Sequence, residues 1–320
     1  MFGKNIHGIH ALRLCADSSL PDIWAPAENL SFYQSLAFAI DLYIMYSFAI
    51  SGIRQPVISS SMISELFPIP AFTDNYIWAI RDAESSDFAV VDPGDPEPVK
   101  AYAEQHDLKL SHILITHHHA DHTGGLKELI SHYHPHVIGP EPSGITGIEQ
   151  FVHEGDNFNL FGHQWNVLEV PGHTLDHIAY YSNTGEPGIL FCGDTLFAAG
   201  CGRLFEGSAE MMSQSLNKFA NLPPATRVYC THEYTMANLK FALAVEVDNA
   251  RLQKRFEEEQ AKRQADQPTL PSSIDLELST NPFLRCDQAE IIASVSSHSG
   301  KQLQNSVETF AALRNWKDNF

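Results

Sequence analysis

From residue 62 onward the chain sets short apolar runs between turn residues. Residues 76–80, 88–91, 112–115, 165–170, 177–181, 189–192 and 227–230 are runs of four to six residues bounded by Gly, Pro, Asn, Asp or Ser nearby. Runs this short, ended by residues that favour tight turns, predict strands rather than helices. Between several of them lie helix-length segments at 97–106, 126–132 and 209–219, so sheets covered by helices are expected, in the α/β or α+β class. After residue 235 the pattern changes. Residues 238–264 are rich in Ala, Leu, Glu, Lys and Arg and stop before the breakers Pro268 and Pro271, which predicts one long helix. Two more helices are predicted at 287–294 and 305–317. The expected domains are therefore a mixed domain at 62–235 and a helical one at 236–320, with no internal repeat.

Residues 1–61 have no such pattern and carry one apolar stretch at 35–53. A membrane span needs about 20 apolar residues; this stretch barely reaches that length and holds Asp41, which is costly in lipid. A secretory signal starts basic and a transit peptide is poor in acids, whereas Asp17, Asp22 and Glu28 intervene here. The favoured reading is an extension outside the patterned fold, translated upstream of a natural start at Met62.

Composition narrows the class. With 43% hydrophobic and 18% charged residues in 320, the chain reads as an ordinary globular enzyme of the cytoplasm. A formal net charge of -19 gives the whole molecule no electrostatic reason to seek nucleic acid or an anionic membrane, so neither is an expected partner and a monomer is expected. An anionic ligand would need a local basic pocket. The five cysteines are odd in number and form no C-x-x-C pair, which points to a reducing compartment and away from a cysteine-held zinc.

The candidate chemistry lies in the histidines. His117, His119 and Asp121 are spaced by two directly after the apolar run 113–115, so an extended chain leaving a buried strand aims all three to one side. His118 faces away, and His122 follows where Thr123-Gly124-Gly125 signals a turn into a helix. Three later runs also end in a ligand-type residue, at His173, Asp194 and His232. Taken singly, each of these is more often a cap or a hydrogen-bond partner. Imidazole and carboxylate together suit zinc, with iron or manganese as alternatives, better than calcium or magnesium. Asp92, in Val91-Asp92-Pro93-Gly94, reads equally well as a turn former or as a partner that orients a ligand histidine.

These segments resemble the metal signature of the metallo-β-lactamase superfamily. Residues 191–197, 200–207 and 231–240 resemble the glyoxalase II family of hydroxyacylglutathione hydrolases, and the likeness covers 62–320. The resemblance implies an αββα sandwich followed by a smaller all-helical domain. It implies His117, His119 and His173 on one metal, Asp121, His122 and His232 on a second, and Asp194 bridging. The implied reaction is hydrolysis of a glutathione thioester such as S-D-lactoylglutathione by a metal-bridged hydroxide, with Asp194 and Asp121 as the catalytic carboxylates. Arg203, Tyr234, Arg314 and Lys317 match residues that hold the glutathione moiety. Phe205 departs from the tyrosine of some members, which removes one hydrogen bond and implies weaker affinity. Two rivals remain open: a persulfide dioxygenase relative that uses a single iron and oxygen, and a metal-binding relative without catalysis.

Overall fold

The computed structural model describes residues 65–141 and 144–320. The expectations for the apolar stretch at 35–53, the extension at 1–61 and the start at Met62 lie outside the described residues.

Two six-stranded sheets form the frame. The first has the order β1 (Glu65–Ala71), β2 (Asn75–Arg81), β3 (Asp87–Val91), β4 (Lys109–Leu114), β5 (His136–Pro140) and β6 (Gln150–Val152). It is antiparallel through β3 and parallel from β3 to β6. Helices α1 (Pro96–His106), α2 (Ala120–Thr123) and α3 (Leu126–Tyr133) lie along its crossovers. The second sheet runs β14 (Ser272–Ser273), β13 (Arg227–Cys230), β10 (Ile189–Gly193), β9 (Ile178–Ser182), β8 (His163–Glu169) and β7 (Asn157–Leu160). A small ribbon, β11 (Leu196–Phe197) with β12 (Gly200–Cys201), follows β10.

Strand periodicity decides what each face buries. On β2, Trp78 and Ile80 point into one core with Leu114, Trp165, Tyr180 and Phe191 of both sheets. Ile77 and Ala79 point the other way, into a second core under Val99 and Tyr102 of α1 and Leu129 of α3. The inter-sheet core is also pinned by a polar contact, since Trp78 Nε1 donates to the carbonyl of Cys230 at 2.9 Å. Helix α4 (Ala209–Ala220) precedes β13, and the tail is helical, with α5 (Thr235–Val245), α6 (Ala250–Gln264), α7 (Ile274–Thr280), α8 (Ala289–Ser299) and α9 (Ser306–Asp318). Met212 and Phe219 of α4 share the main core with Ile291, Phe310 and Leu313 of the tail. Among the described residues no helix is long and apolar enough to cross a membrane.

The strands expected at the seven apolar runs are all present, and one expectation needs correction. The single helix expected over 238–264 is two, α5 and α6, interrupted at 246–249. Asn249 explains the break: its Oδ1 caps α6 by accepting from Leu252 N at 3.1 Å, and its Nδ2 donates to Ser279 O at 3.0 Å. A residue that caps a new helix cannot also continue the old one. The strand β1 was not anticipated because Pro68 and Pro70 interrupt it. Both sit at alternate positions of an edge strand paired only with β2, where the missing N–H costs no ladder bond.

The break in the tail serves a buried ion pair. Arg255 Nη2 lies 2.6 Å from Glu277 Oε1, with both side chains sealed from solvent. Glu277 also accepts from Ala199 N at 2.8 Å, and so ties the helical tail to the ribbon beside β10. Glu277→Ala leaves the guanidinium buried and unpaired, which costs about 3–5 kcal/mol. Equilibrium unfolding in denaturant should show a loss of this size, and a loss under about 1 kcal/mol, the worth of an exposed pair, would contradict it.

Candidate metal centre and its pocket

The centre begins where β3 and β4 end. Asp92 accepts from the backbone N of Thr116 at 2.8 Å and from its hydroxyl at 2.7 Å, which fixes the chain as it leaves β4. His117 and His119 turn into the space between the sheet ends, and His118 turns away to Asp176 at 2.9 Å and Glu206 at 3.4 Å. The expected alternation stops there. The chain is not extended at Asp121; it enters α2, with His122 N and Thr123 N both donating to His119 O at 3.1 Å. Asp121 and His122 thus reach the centre from a helical turn. The Asp-Pro-Gly turn packs directly on that helix, since a Cβ on Gly94 would lie 1.9 Å from the Asp121 carbonyl oxygen. Both readings of Asp92 hold at once: it forms the turn, and its Oδ2 accepts from His122 Nδ1 at 3.0 Å.

Two clusters result. His117, His119 and His173 bring ligand-type atoms within 4.8 Å of one another, and Asp121, His122 and His232 do the same. Asp194, from the turn after β10, lies between them. Its Oδ1 is 3.5 Å from His122 Nε2, and its Oδ2 is 3.5 Å from His173 Nε2 and 3.3 Å from His232 Nε2. Four ligands at the ~2.0–2.2 Å typical of zinc in a tetrahedron stand roughly 3.4 Å apart, so these spacings fit a shared cation. Burial makes the same point, because His117 Nε2, His122 Nε2 and Asp194 Oδ1 are sealed from solvent with no hydrogen-bond partner. Such atoms are costly unless something satisfies them, and a cation on each cluster would.

Four of the five histidines have the far nitrogen engaged; the fifth, His119, faces His173 Nε2 through its Nδ1 at 3.0 Å. His117 Nδ1 donates to Thr116 Oγ1 at 3.0 Å, His173 Nδ1 to Arg203 O at 2.9 Å and His232 Nδ1 to Asp74 Oδ1 at 2.8 Å. With His122 donating to Asp92, each of these four rings keeps its Nε2 lone pair for the centre. Asn75 Nδ2 steadies Asp121 Oδ2 at 3.2 Å. Asp74, Asn75 and Thr116 were not anticipated. Asp74 and Asn75 read in sequence as an ordinary turn, and nothing there signals a partner 158 positions away.

The charges follow from these contacts. Burial alone would lower His232, but Asp194 and the hydrogen bonds to Asp121, Asp194 and Asp74 push it up to about 10. His122 is likewise raised against its burial by Asp194 and Asp92. His117, buried and beside His122 and His177, is driven well down. His232 holds Asp121 far below the carboxylate range by hydrogen bonding.

A cavity of about 770 Å³ opens from the centre toward the helical tail, and Arg203, Phe205, Tyr234, Arg314 and Lys317 all line it. Phe205 sets its ring edge against His119 and His173 at 5.5 and 5.2 Å and is otherwise exposed. Tyr234 stacks on His232 at 4.6 Å and 2°. Arg314 is not on a solvated face: it is buried, donating from Nη1 to Cys201 O at 3.0 Å and pairing with Asp318 at 2.9 Å. Lys317 is brought down to about 8, by burial first and then by Arg314 and Arg203. Cys201 also lines the cavity, but burial raises its thiol to about 11, which leaves it a poor nucleophile.

Known proteins share this arrangement. The profile of the metallo-beta-lactamase superfamily matches residues 72–232. A crystal structure of ETHE1 from Myxococcus xanthus is similar with TM-score 0.54 at 24% identity, over 80% of this chain and 98% of that one. A crystal structure of TTHA1623 in a di-iron-bound form is similar with TM-score 0.50 at 25% identity, over 68% and 100%. The fold is that of the metallo-β-lactamase superfamily, and its paired His/Asp clusters are sites for two divalent metal ions. Residues 233–320 match the profile "Hydroxyacylglutathione hydrolase C-terminus". The hydroxyacylglutathione hydrolase of Pseudomonas aeruginosa is 53% identical over 253 residues, 79% of this chain and 98% of that relative. The chain belongs to the hydroxyacylglutathione hydrolase family.

A pH dependence follows. His122 and His232 hold protons in the metal-free site because their basicity is raised. A cation must displace those protons, so metal affinity falls as pH falls. Titration with a competing chelator should show weaker binding at pH 6 than at pH 8, with proton release on binding; pH-independent affinity would contradict the charge assignment.

Proposed function

We propose that this chain hydrolyses S-(2-hydroxyacyl)glutathione thioesters, such as S-D-lactoylglutathione, to glutathione and a 2-hydroxy acid, the second step of methylglyoxal detoxification. The observation that carries the reading is the joining of two complete ligand clusters to a cation-lined cavity. His117, His119 and His173 would hold one metal and Asp121, His122 and His232 the other, with Asp194, placed between the clusters, available to both. Zinc is the favoured occupant. The second cluster, with its added carboxylates, also suits iron or manganese, and the relative crystallised in a di-iron form supports that choice.

When bound, the two cations would supply Lewis acidity and make hydroxide available near neutral pH by lowering the pKa of water from about 15.7 to near 7. The protein's own groups do the rest. Asp194 sets the spacing of the clusters. Asp121 Oδ2 faces the second cluster and accepts from Asn75, which would leave Oδ1 to orient the attacking water. The leaving thiolate has a parent pKa of about 8.5 and departs without a general acid. Arg203, Arg314 and Lys317 draw the carboxylates of glutathione to the tail side of the cavity. Tyr234 offers its hydroxyl there, and Phe205 offers only its ring. A persulfide dioxygenase with a single iron is disfavoured by the completeness of the second cluster.

Residues 62–235 form the catalytic domain and 236–320 the substrate-binding domain in this reading, and the enzyme acts as a monomer. A cytoplasmic location is supported by the cysteines 192, 201, 230 and 286, all buried and free.

Purified protein loaded with metal should hydrolyse S-lactoylglutathione, and Asp194→Ala should lose metal and activity together. An active, metal-poor Asp194→Ala variant, or no hydrolysis by the loaded wild type, would overturn the proposal. Lys317→Ala removes one charge-assisted hydrogen bond, about 1.5–3 kcal/mol. It should raise KM tenfold or more with kcat little changed, and an unchanged KM would remove Lys317 from the binding site.

A further inference from the structure

His177 takes no part in either ligand cluster, yet it lies at their centre. It is buried, and its ring stacks on His117 at 4.5 Å and 16°. Its Nε2 is 3.0 Å from the backbone N of Asp194, and its Nδ1 is 3.0 Å from the carbonyl oxygen of Ile178. These contacts fix the proton. The Asp194 amide can only donate, so Nε2 carries the lone pair, and Nδ1 carries the hydrogen that it gives to Ile178 O. The ring is therefore a neutral acceptor with a defined tautomer.

The chain is shaped to make this contact. After β10 the backbone turns tightly, with Thr195 N donating to Cys192 O at 3.1 Å. Gly193 adopts φ +46, and a Cβ on it would come within 2.8 Å of His177 Nε2 and 2.5 Å of Thr116 Oγ1. Only glycine lets the strand end approach the imidazole so closely. The next residue is Asp194, whose Oδ1 lies by His122 and whose Oδ2 lies between His173 and His232.

We propose that His177 is the positioning residue for Asp194. By accepting the Asp194 amide it anchors the backbone from which the carboxylate reaches between the two clusters, and its stacking sets the plane of His117 as well. The bridging geometry thus depends on an acceptor that binds neither metal nor substrate. This inference rests on the two-cation reading of the site but not on the identity of the substrate.

The test compares two substitutions in the full-length chain. His177→Leu keeps an apolar body against His117 but leaves the Asp194 amide unpaired. His177→Gln puts a carbonyl oxygen where Nε2 stands. Loss of such a supporting bond typically weakens metal binding about 10–100-fold. Cobalt(II) uptake against a competing chelator, read with the visible spectrum, should show weakening of this order and an altered spectrum for His177→Leu. The Gln variant should recover to within a few-fold of wild type. Should the Leu variant fail to fold, as judged by far-UV circular dichroism, His177→Asn replaces it, because its oxygen reaches only to the Nδ1 position and should fail to rescue. Wild-type affinity and spectrum in the Leu or Asn variant would overturn the proposal. So would a folded Gln variant as weak as its counterpart. Wild-type protein that takes up fewer than two equivalents would overturn the two-cation reading itself.

Discussion

The structure turns on polar side-chain atoms buried at one point without a hydrogen-bond partner. Leaving polar atoms such as His117 Nε2, His122 Nε2 and Asp194 Oδ1 unsatisfied in a sealed interior is unfavourable by itself. Four of the five rings are clamped from behind. Asp92 does most of this at once: from the turn after β3, one carboxylate pins Thr116 as the chain leaves β4 and orients His122. The two sheets then bring strand ends with separate origins in sequence to one point.

The clamps differ between the clusters. His117 and His173 donate to a hydroxyl and a backbone carbonyl, whereas His122 and His232 donate to the carboxylates Asp92 and Asp74. Carboxylate backing makes an imidazole a more basic ligand, so the two clusters are electronically distinct although Asp194 lies between them. The strongly negative net charge of the molecule leaves the cations Arg203, Arg314 and Lys317 as a local exception, gathered at one end of the same cavity. An acidic protein with such a pocket selects anions by place rather than by overall field.

Much of this was legible in the sequence. The strands and the candidate ligand residues lie in local patterns, period-two alternation out of a buried strand and ligand-type residues at strand ends, whereas the pocket cations were readable only through the family resemblance. What was hidden depends on contacts far apart in sequence. Asp74 meets His232, and His177 meets Asp194, through sheet topology alone. The helical turn at Asp121 was misread as extended because the 2-residue spacing continues past the point where His119 O begins to accept helical hydrogen bonds. The split between α5 and α6 was missed because helix-favouring composition outweighed one capping asparagine.

The central claim is that these side chains enclose a pair of cations. The most direct measurement is anomalous X-ray diffraction from crystals of the metal-loaded protein, collected at the absorption edge of the bound metal. The account predicts two peaks about 3.5–4 Å apart, one against His117, His119 and His173, the other against Asp121, His122 and His232, with Asp194 touching both. A single peak, or a pair of peaks away from Asp194, would contradict it.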